Sequence, residues 1–369
     1  MTQTDALAQL RQLAGTAEVH AREEHGVTLG PDGAAAADRI LRAEAGLADA
    51  QRRDLLSACY GAWLGWLAIQ RGDARWVGLS EPAAPRILAS GLVFSPMDAA
   101  RRRLEDPASP TLPETLQRLD AWSREQAAFR SRASTRNKEA WDALSADPRF
   151  AGAEGLPKDG VSARAALDEW LRDEPLEGKA LLCLGAGGGR QGPLHALAGA
   201  AVTVVDVSER QLDHDRKAGL KTLCASLDKL EGLEAASFDI VVQPVSSCYV
   251  PDLDRAHAEV ARVLRPGGLY IVQHKQPAAL QASSGSAYVL GFPCAEGAAL
   301  PDQTAAHREP GTTEFVHGLD ALIGGLCHAG FVIEAFSEPA RADAAAPPGS
   351  PGHRAWFLPP YLKIKARRR

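Results

Sequence analysis

Residues 180–189 read Ala-Leu-Leu-Cys-Leu-Gly-Ala-Gly-Gly-Gly, and an aspartate, Asp206, follows seventeen positions after the last of them. An apolar run that stops at a glycine cluster predicts a buried parallel strand turning into a helix. Glycine lets the backbone approach a ligand closely, because it carries no Cβ. The helix that follows, about 191–198, would offer free N–H groups and a positive dipole end to a polar or anionic group. A second apolar run, Ala201 to Val205, then ends in Asp206. A carboxylate at that strand tip, about 20 residues past the first glycine, suits the two hydroxyls of a ribose. The pairing implies a ligand that contains a nucleoside.

From there the pattern alternates. Strand 180–184 leads to helix 191–198, strand 201–205 to helix 209–217, then come strands 221–224 and 238–242, helix 254–264 and strand 269–274. Alternation of this kind predicts a mostly parallel sheet covered on both faces. Helix 319–329 and strands 331–336 and 361–366 follow. Two strands in succession without a helix between them predict that the last one runs antiparallel. The expected class is α/β, a doubly wound Rossmann-like sheet preceded by a small helical α+β domain.

Upstream, helices are expected at 4–24, 35–46 and 51–70. The last carries Leu55, Leu56, Cys59, Tyr60, Trp63, Leu64 and Leu67 at helical spacing, which makes its aromatic residues core rather than a ligand box. Strands near 75–79 and 86–94 and a helix at 97–104 complete this part. Pro107 to Pro113 carries three prolines in seven residues and marks a boundary. The expected division is 1–110, a helical linker or lid at 111–160 and the α/β domain at 161–369. One or two polar helices span 114–144, and a single helix is expected at 162–171.

The chain has 369 residues and a formal net charge of −5, which leaves no electrostatic footprint for nucleic acid. The basic end Lys363 to Arg369 reads as a solvated tail. No apolar run approaches the ~20 residues of a membrane span, and Met1-Thr-Gln-Thr-Asp does not open a signal peptide. The six cysteines show neither zinc spacing nor a disulfide framework. A cytoplasmic protein with free thiols and no metal is expected.

Four segments carry a resemblance: Leu184-Gly-Ala-Gly-Gly-Gly189, Val204-Val-Asp-Val-Ser208, Ser237-Phe-Asp-Ile-Val-Val242 and Val263-Leu-Arg-Pro-Gly-Gly268. In these the chain resembles the class I S-adenosylmethionine-dependent methyltransferases of type 11, over Ser162 to Ala366 or from as early as Asn137. The resemblance implies that Gly185, Ala186, Gly187 and Gly189 line the methionine part of the cofactor. It implies Asp206 on the ribose and Val207, Ser226 and Leu227 around the adenine, with Gln243 and Val245 at the methionine end. Two departures stand out: Ser226 where an acidic residue often faces the adenine amino group, and Cys183 where one often precedes the first motif. A dinucleotide reading is poorer, since G-x-G-x-x-G counted from Gly185 needs glycine where the chain has Arg190.

In an open parallel sheet, ligands lie beyond the carboxyl ends of the strands. That rule selects Tyr249, His274 and His317 as candidates for catalysis. Each also has a plainer reading: Tyr249 packing over the cofactor, His274 as a strand-end residue, and His317 bracing a helix. The stretch 275–313 is long for a connection and would form a lid or acceptor wall. Two function classes follow: methyl transfer to a small-molecule acceptor, or a cofactor-binding module without turnover.

Overall fold

The computed structural model describes residues 3–46, 49–72, 74–77, 79, 85–89, 92–152, 154–283, 288–290, 298–300, 308–339 and 341–369. The chain divides into two compact units, Met1–Arg130 and Ser131–Arg369. The division falls inside a 33-residue helix, Leu112–Leu144, rather than at the prolines of 107–113.

The first unit holds helices α1 (Gln3–His25), α2 (Ala34–Glu44), α3 (Ala50–Arg71) and α4 (Pro96–Glu105), with the start of α5 (Leu112–Leu144). Strands β1 (Ala74–Val77), β2 (Arg86–Ala89) and β3 (Leu92–Phe94) form an antiparallel meander, so the single strand expected over 86–94 is two. Cys59, Tyr60, Trp63 and Leu64 of α3 are buried, as their helical spacing predicts. Arg103 is buried too: its Nε donates to Asp38 Oδ1 at 2.7 Å, and its Nη1 donates to the carbonyls of Pro107 and Ser109. This guanidinium fastens the proline-rich turn to the core.

In the second unit a seven-stranded sheet has the order β13-β14-β8-β7-β4-β5-β6. Its parallel members are β4 (Ala180–Leu184), β5 (Ala201–Asp206), β6 (Lys221–Cys224), β7 (Phe238–Gln243) and β8 (Leu264–Lys275). The last strand, β14 (Tyr361–Arg368), pairs antiparallel with both β8 and β13 (Phe331–Ser337), as expected. Short pairs β9 (Ala282–Ser283) with β10 (Val289–Leu290) and β11 (Ala298–Ala299) with β12 (Phe315–Val316) lie outside it.

The period of two in β4 sends Leu182 and Leu184 into one core layer and Leu181 and Cys183 into the other. The first layer is covered by α10 (Leu253–Val263), which contributes Val260 and Val263, and by Leu322 and Leu326. The second is covered by Leu167, Leu171 and Leu212, with α8 (Gln191–Leu197) and α9 (Glu209–Lys217) beside it. Cys183 therefore sits in the core, its Sγ 3.6 Å from His195 Nδ1, and burial pushes its thiol pKa up.

Three local expectations are corrected. The helix expected at 162–171 is two turns, α6 (Gly160–Ala165) and α7 (Glu169–Arg172), because the Asp168 carboxylate caps Trp170 N–H at 2.9 Å and restarts the helix. Helix 319–329 opens as a π-helical turn, Asp320–Gly324, before α12 (Gly325–His328). The strand expected at 269–274 begins already at Leu264, and Arg265-Pro-Gly-Gly268 is a bulge within it: Leu264 pairs with Phe238, and Leu269 pairs with Ile240. Gly267, at φ 76°, allows that outward loop. The remaining short helices are α11 (Pro277–Gln281) and α13 (Pro351–Arg354).

Candidate active site

The tips of β4, β5, β6 and β7 end at one edge of the sheet, and a cavity of about 270 Å³ opens there. Gly185 turns the chain out of β4 at φ 61°, and its N–H donates to Val205 O at 2.8 Å. A Cβ on Gly185 would stand 2.6 Å from Ser246 Oγ, and one on Gly187 would stand 2.8 Å from Gln211 Cβ. Contacts that short force a shift, so the protein's own floor demands glycine at both positions.

Asp206 ties this loop to the second strand. Its Oδ2 accepts the Gly187 N–H and its Oδ1 the Ser208 N–H, each at 2.9 Å. Burial pushes its pKa above the usual aspartate range, against the pull of those N–H donors. Each carboxylate oxygen keeps a second lone pair, and Asp206 lines the cavity. Ser208 Oγ in turn donates to Asp142 Oδ1 at 2.5 Å, which fastens the end of α5 beside the strand tip.

The far wall comes from residues that the sequence reading left unassigned. Ser134, Asn137 and Trp141 of α5 line the cavity, with Arg149 and Phe150 from the turn after it. Trp141 stands edge-on to Phe150 at 5.8 Å and to Tyr249 at 5.5 Å between ring centroids, and the three rings form an aromatic wall. The buried Asn137 side chain holds that wall. Its Oδ1 accepts the Thr313 N–H at 2.6 Å, and its Nδ2 donates to the carbonyls of Thr313 at 3.0 Å and Tyr249 at 3.1 Å. The signal was present as Asn137 and Trp141 four apart on a polar helix, which share one face. Arg149 and Phe150 had no pattern to betray them.

Of the residues expected at a cofactor, Gly185, Ala186, Gly187, Asp206, Val207, Ser226, Leu227 and Val245 line the cavity. Gly189 and Gln243 are not among its described lining residues. Gly189 donates its N–H to Asp215 Oδ2 at 3.1 Å, facing α9. Gln243 is buried one layer below, donating from Nε2 to Ser246 Oγ at 3.1 Å and accepting from the Tyr270 hydroxyl. Ser226 Oγ donates to Asp228 Oδ1 at 2.5 Å, so an acidic group stands directly behind the serine.

Of the three expected catalytic residues, Tyr249 alone lines the cavity. His274 is fully buried with Nδ1 2.6 Å from Ser247 Oγ and Nε2 without a hydrogen-bond partner. Burial, with His257 and His317 nearby, holds its pKa well below the usual histidine value, so it stays neutral. His317 is buried with Nε2 2.8 Å from Val250 O. Both histidines point into the packing under the 3₁₀ turn Ser247–Tyr249, which is why the strand-end rule overreached for them.

Behind Tyr249 lies a cluster that the sequence did not reveal. The Tyr249 hydroxyl donates to Glu309 Oε2 at 2.6 Å, and Lys275 Nζ donates to Glu309 Oε2 at 2.7 Å and Glu314 Oε1 at 2.9 Å. Two carboxylates share one ammonium here. Burial and Glu309 push the Glu314 pKa up; for Glu309 burial opposes but Lys275 prevails, and the net shift is downward. Burial pushes the Tyr249 phenol well above its ordinary pKa, so it remains a hydrogen-bond donor. The lid expected at 275–313 contributes Lys275 and Glu309 to this cluster, while 284–287, 291–297 and 301–307 lie outside the described residues.

A family profile for a methyltransferase domain matches residues 182–272, the span from β4 to β8. The chain is 33% identical over 178 residues to the uncharacterized methyltransferase YbaJ of Bacillus subtilis, covering 44% of this chain and 70% of that protein. It is 34% identical over 132 residues to the ubiquinone biosynthesis O-methyltransferase of Aromatoleum aromaticum, covering 33% of this chain and 56% of that one. A solved S-adenosylmethionine-dependent methyltransferase from Mesorhizobium loti is 26% identical, with 59% of this chain and all of that chain covered at a TM-score of 0.46. No helix among the described residues is long and apolar enough to cross a membrane. With its glycine turn, its strand-tip aspartate and its antiparallel last strand, the chain belongs to the class I S-adenosylmethionine-dependent methyltransferases of type 11.

Proposed function

We propose that this methyltransferase transfers its methyl group to a small-molecule acceptor bound against Tyr249. The observation that carries the reading is the cavity itself. It joins the glycine turn and Asp206 on one side to an aromatic wall on the other, in a volume near the low end of small-ligand pockets, ~300–1,000 Å³. A chain of net charge −5 is poorly matched to a polyanionic acceptor. The ubiquinone enzyme among the relatives is, by its name, an O-methyltransferase of a small-molecule pathway, which agrees with this choice.

The residues present fit the cofactor. Asp206 has lone pairs for a ribose diol, Val207 and Leu227 give apolar walls for an adenine, and Ser226 backed by Asp228 offers it a polar edge. When bound, S-adenosylmethionine supplies an electrophilic sulfonium methyl. The protein's task is then chiefly to align and to keep water out. Trp141, Phe150 and Tyr249 close the wall, and Asn137 keeps it closed. A base is needed only for an acceptor that must lose a proton. For such an acceptor, Tyr249 can accept that proton as it passes its own to Glu309, which Lys275 holds ionised.

The test is to incubate the protein with methyl-labelled S-adenosylmethionine and a panel of phenols, enols and carboxylic acids, reading S-adenosylhomocysteine and labelled product by mass spectrometry. Acceptor-dependent turnover supports the reading. Labelling of protein or nucleic acid with none of the small molecules methylated overturns it.

A further inference from the structure

In the first unit, the C-terminal ends of two helices bring together His20 and His25 of α1 and Glu44 of α2, residues that sequence spacing gave no reason to join. Their three ligand atoms all lie within 4.8 Å of one another. From His25 Nε2 to Glu44 Oε1 is 3.3 Å, and from His20 Nε2 to the same oxygen is 3.9 Å. Two ligands about 2.0–2.1 Å from a tetrahedral zinc stand about 3.3 Å apart, so the His25–Glu44 pair already has the spacing of a coordination shell, and His20 has to move inward to complete it. We propose that His20, His25 and Glu44 bind a divalent transition-metal ion of the zinc class, which revises the expectation of no metal.

Three further features support the site. His25 Nε2 is buried without a hydrogen-bond partner, an arrangement that leaves a desolvated ring nitrogen aimed at a carboxylate. His20 Nδ1 lies 2.9 Å from the Tyr60 hydroxyl; with the proton on Nδ1, the Nε2 lone pair faces Glu44, the outer-shell arrangement common for metal-binding histidine. Two imidazoles with one carboxylate are a donor set for zinc, and a fourth position remains for water or for Glu24, whose Oε2 is 3.4 Å from His20 Nε2.

One group competes. The Arg52 guanidinium donates from Nε to Glu44 Oε2 at 2.8 Å, and from Nη2 to Glu44 Oε1 at 3.2 Å and Glu24 Oε2 at 2.9 Å, with Nη2 also 3.4 Å from His20 Nε2. Its side chain is 42% exposed and can swing outward. The Nε contact, on the oxygen away from the histidines, is compatible with a bound ion and would orient the carboxylate; the Nη2 contacts are what the ion must replace.

The experiment uses full-length protein stripped with chelator and titrated with Zn²⁺ by calorimetry, with Co²⁺ as a spectroscopic probe. The expected result is one site per chain whose cobalt spectrum shows ligand-field bands without thiolate charge transfer. His25→Ala and Glu44→Gln, each checked for native circular dichroism, should weaken that site at least about tenfold. Absence of binding, binding unchanged in both variants, or a cobalt spectrum of thiolate type overturns the proposal. Arg52→Ala runs alongside: binding in that variant but not in the unaltered chain assigns the place to the guanidinium and also overturns it.

Discussion

The carboxamide of Asn137, itself lining the cavity, grips the backbone of Thr313, 176 residues away in sequence, accepting its N–H at 2.6 Å and donating to its carbonyl at 3.0 Å. This one side chain joins the helix before the sheet to the segment that returns after its fifth strand. Asn137→Ala would leave three backbone groups unpaired in a buried place. The expected cost is about 2–3 kcal/mol of stability, with weaker cofactor binding. Chemical denaturation and calorimetry on the same variant check it; stability within about 0.5 kcal/mol of the parent would refute it.

Asp206 must be ionised to accept two ribose hydroxyls well. Its pKa is raised by burial, so acidification neutralises it earlier than an exposed aspartate. Affinity for S-adenosylhomocysteine is therefore expected to fall as pH drops below neutrality toward that raised value. Calorimetry across pH 5–8 measures this fall, and Asp206→Asn should show a weaker but flat profile.

Tyr249→Phe separates packing from proton relay. The ring and its contact with Trp141 remain, while the hydrogen bond to Glu309 goes. With an acceptor that loses a proton, turnover is expected to fall about 100-fold with the cofactor dissociation constant unchanged. Unchanged turnover would reduce Tyr249 to a wall.

Glu314 gives a stability signature. Burial raises its pKa in the folded chain, up to about 7, above its unfolded value near 4.5. Across that window the native state holds the extra proton, so the contribution to stability is full below the unfolded pKa and is lost as pH rises toward 7. Glu314→Gln should flatten that decline in denaturation measured at pH 4.5–8, whereas an unaltered slope would place the proton elsewhere.

Much of the architecture was legible because it is local. The apolar run before Gly185, the aspartate ending the second strand and the period of two in β4 needed no long-range information. The succession of 331–336 and 361–366 already implied an antiparallel final strand. What sequence could not supply was side-chain direction across distant elements. His274 lies one residue before the end of β8, yet it turns into the core against Ser247, and Gln243 props Ser246 from below instead of facing the cavity. Conversely, the wall formed by Asn137, Trp141 and Phe150 depends on a turn whose path only folding decides. The sharing of Lys275 by Glu309 and Glu314 links residues 34 and 39 positions apart, with no period to announce it.

The central claim is that the cavity beside Asp206 holds S-adenosylmethionine. The direct measurement is calorimetric titration of the protein and of Asp206→Asn with S-adenosylmethionine, S-adenosylhomocysteine and NADH. The account predicts micromolar binding of the first two to the parent chain, at least about tenfold weaker in the variant, and none of NADH. Binding of NADH alone, or affinity for S-adenosylmethionine untouched by Asp206→Asn, would contradict it.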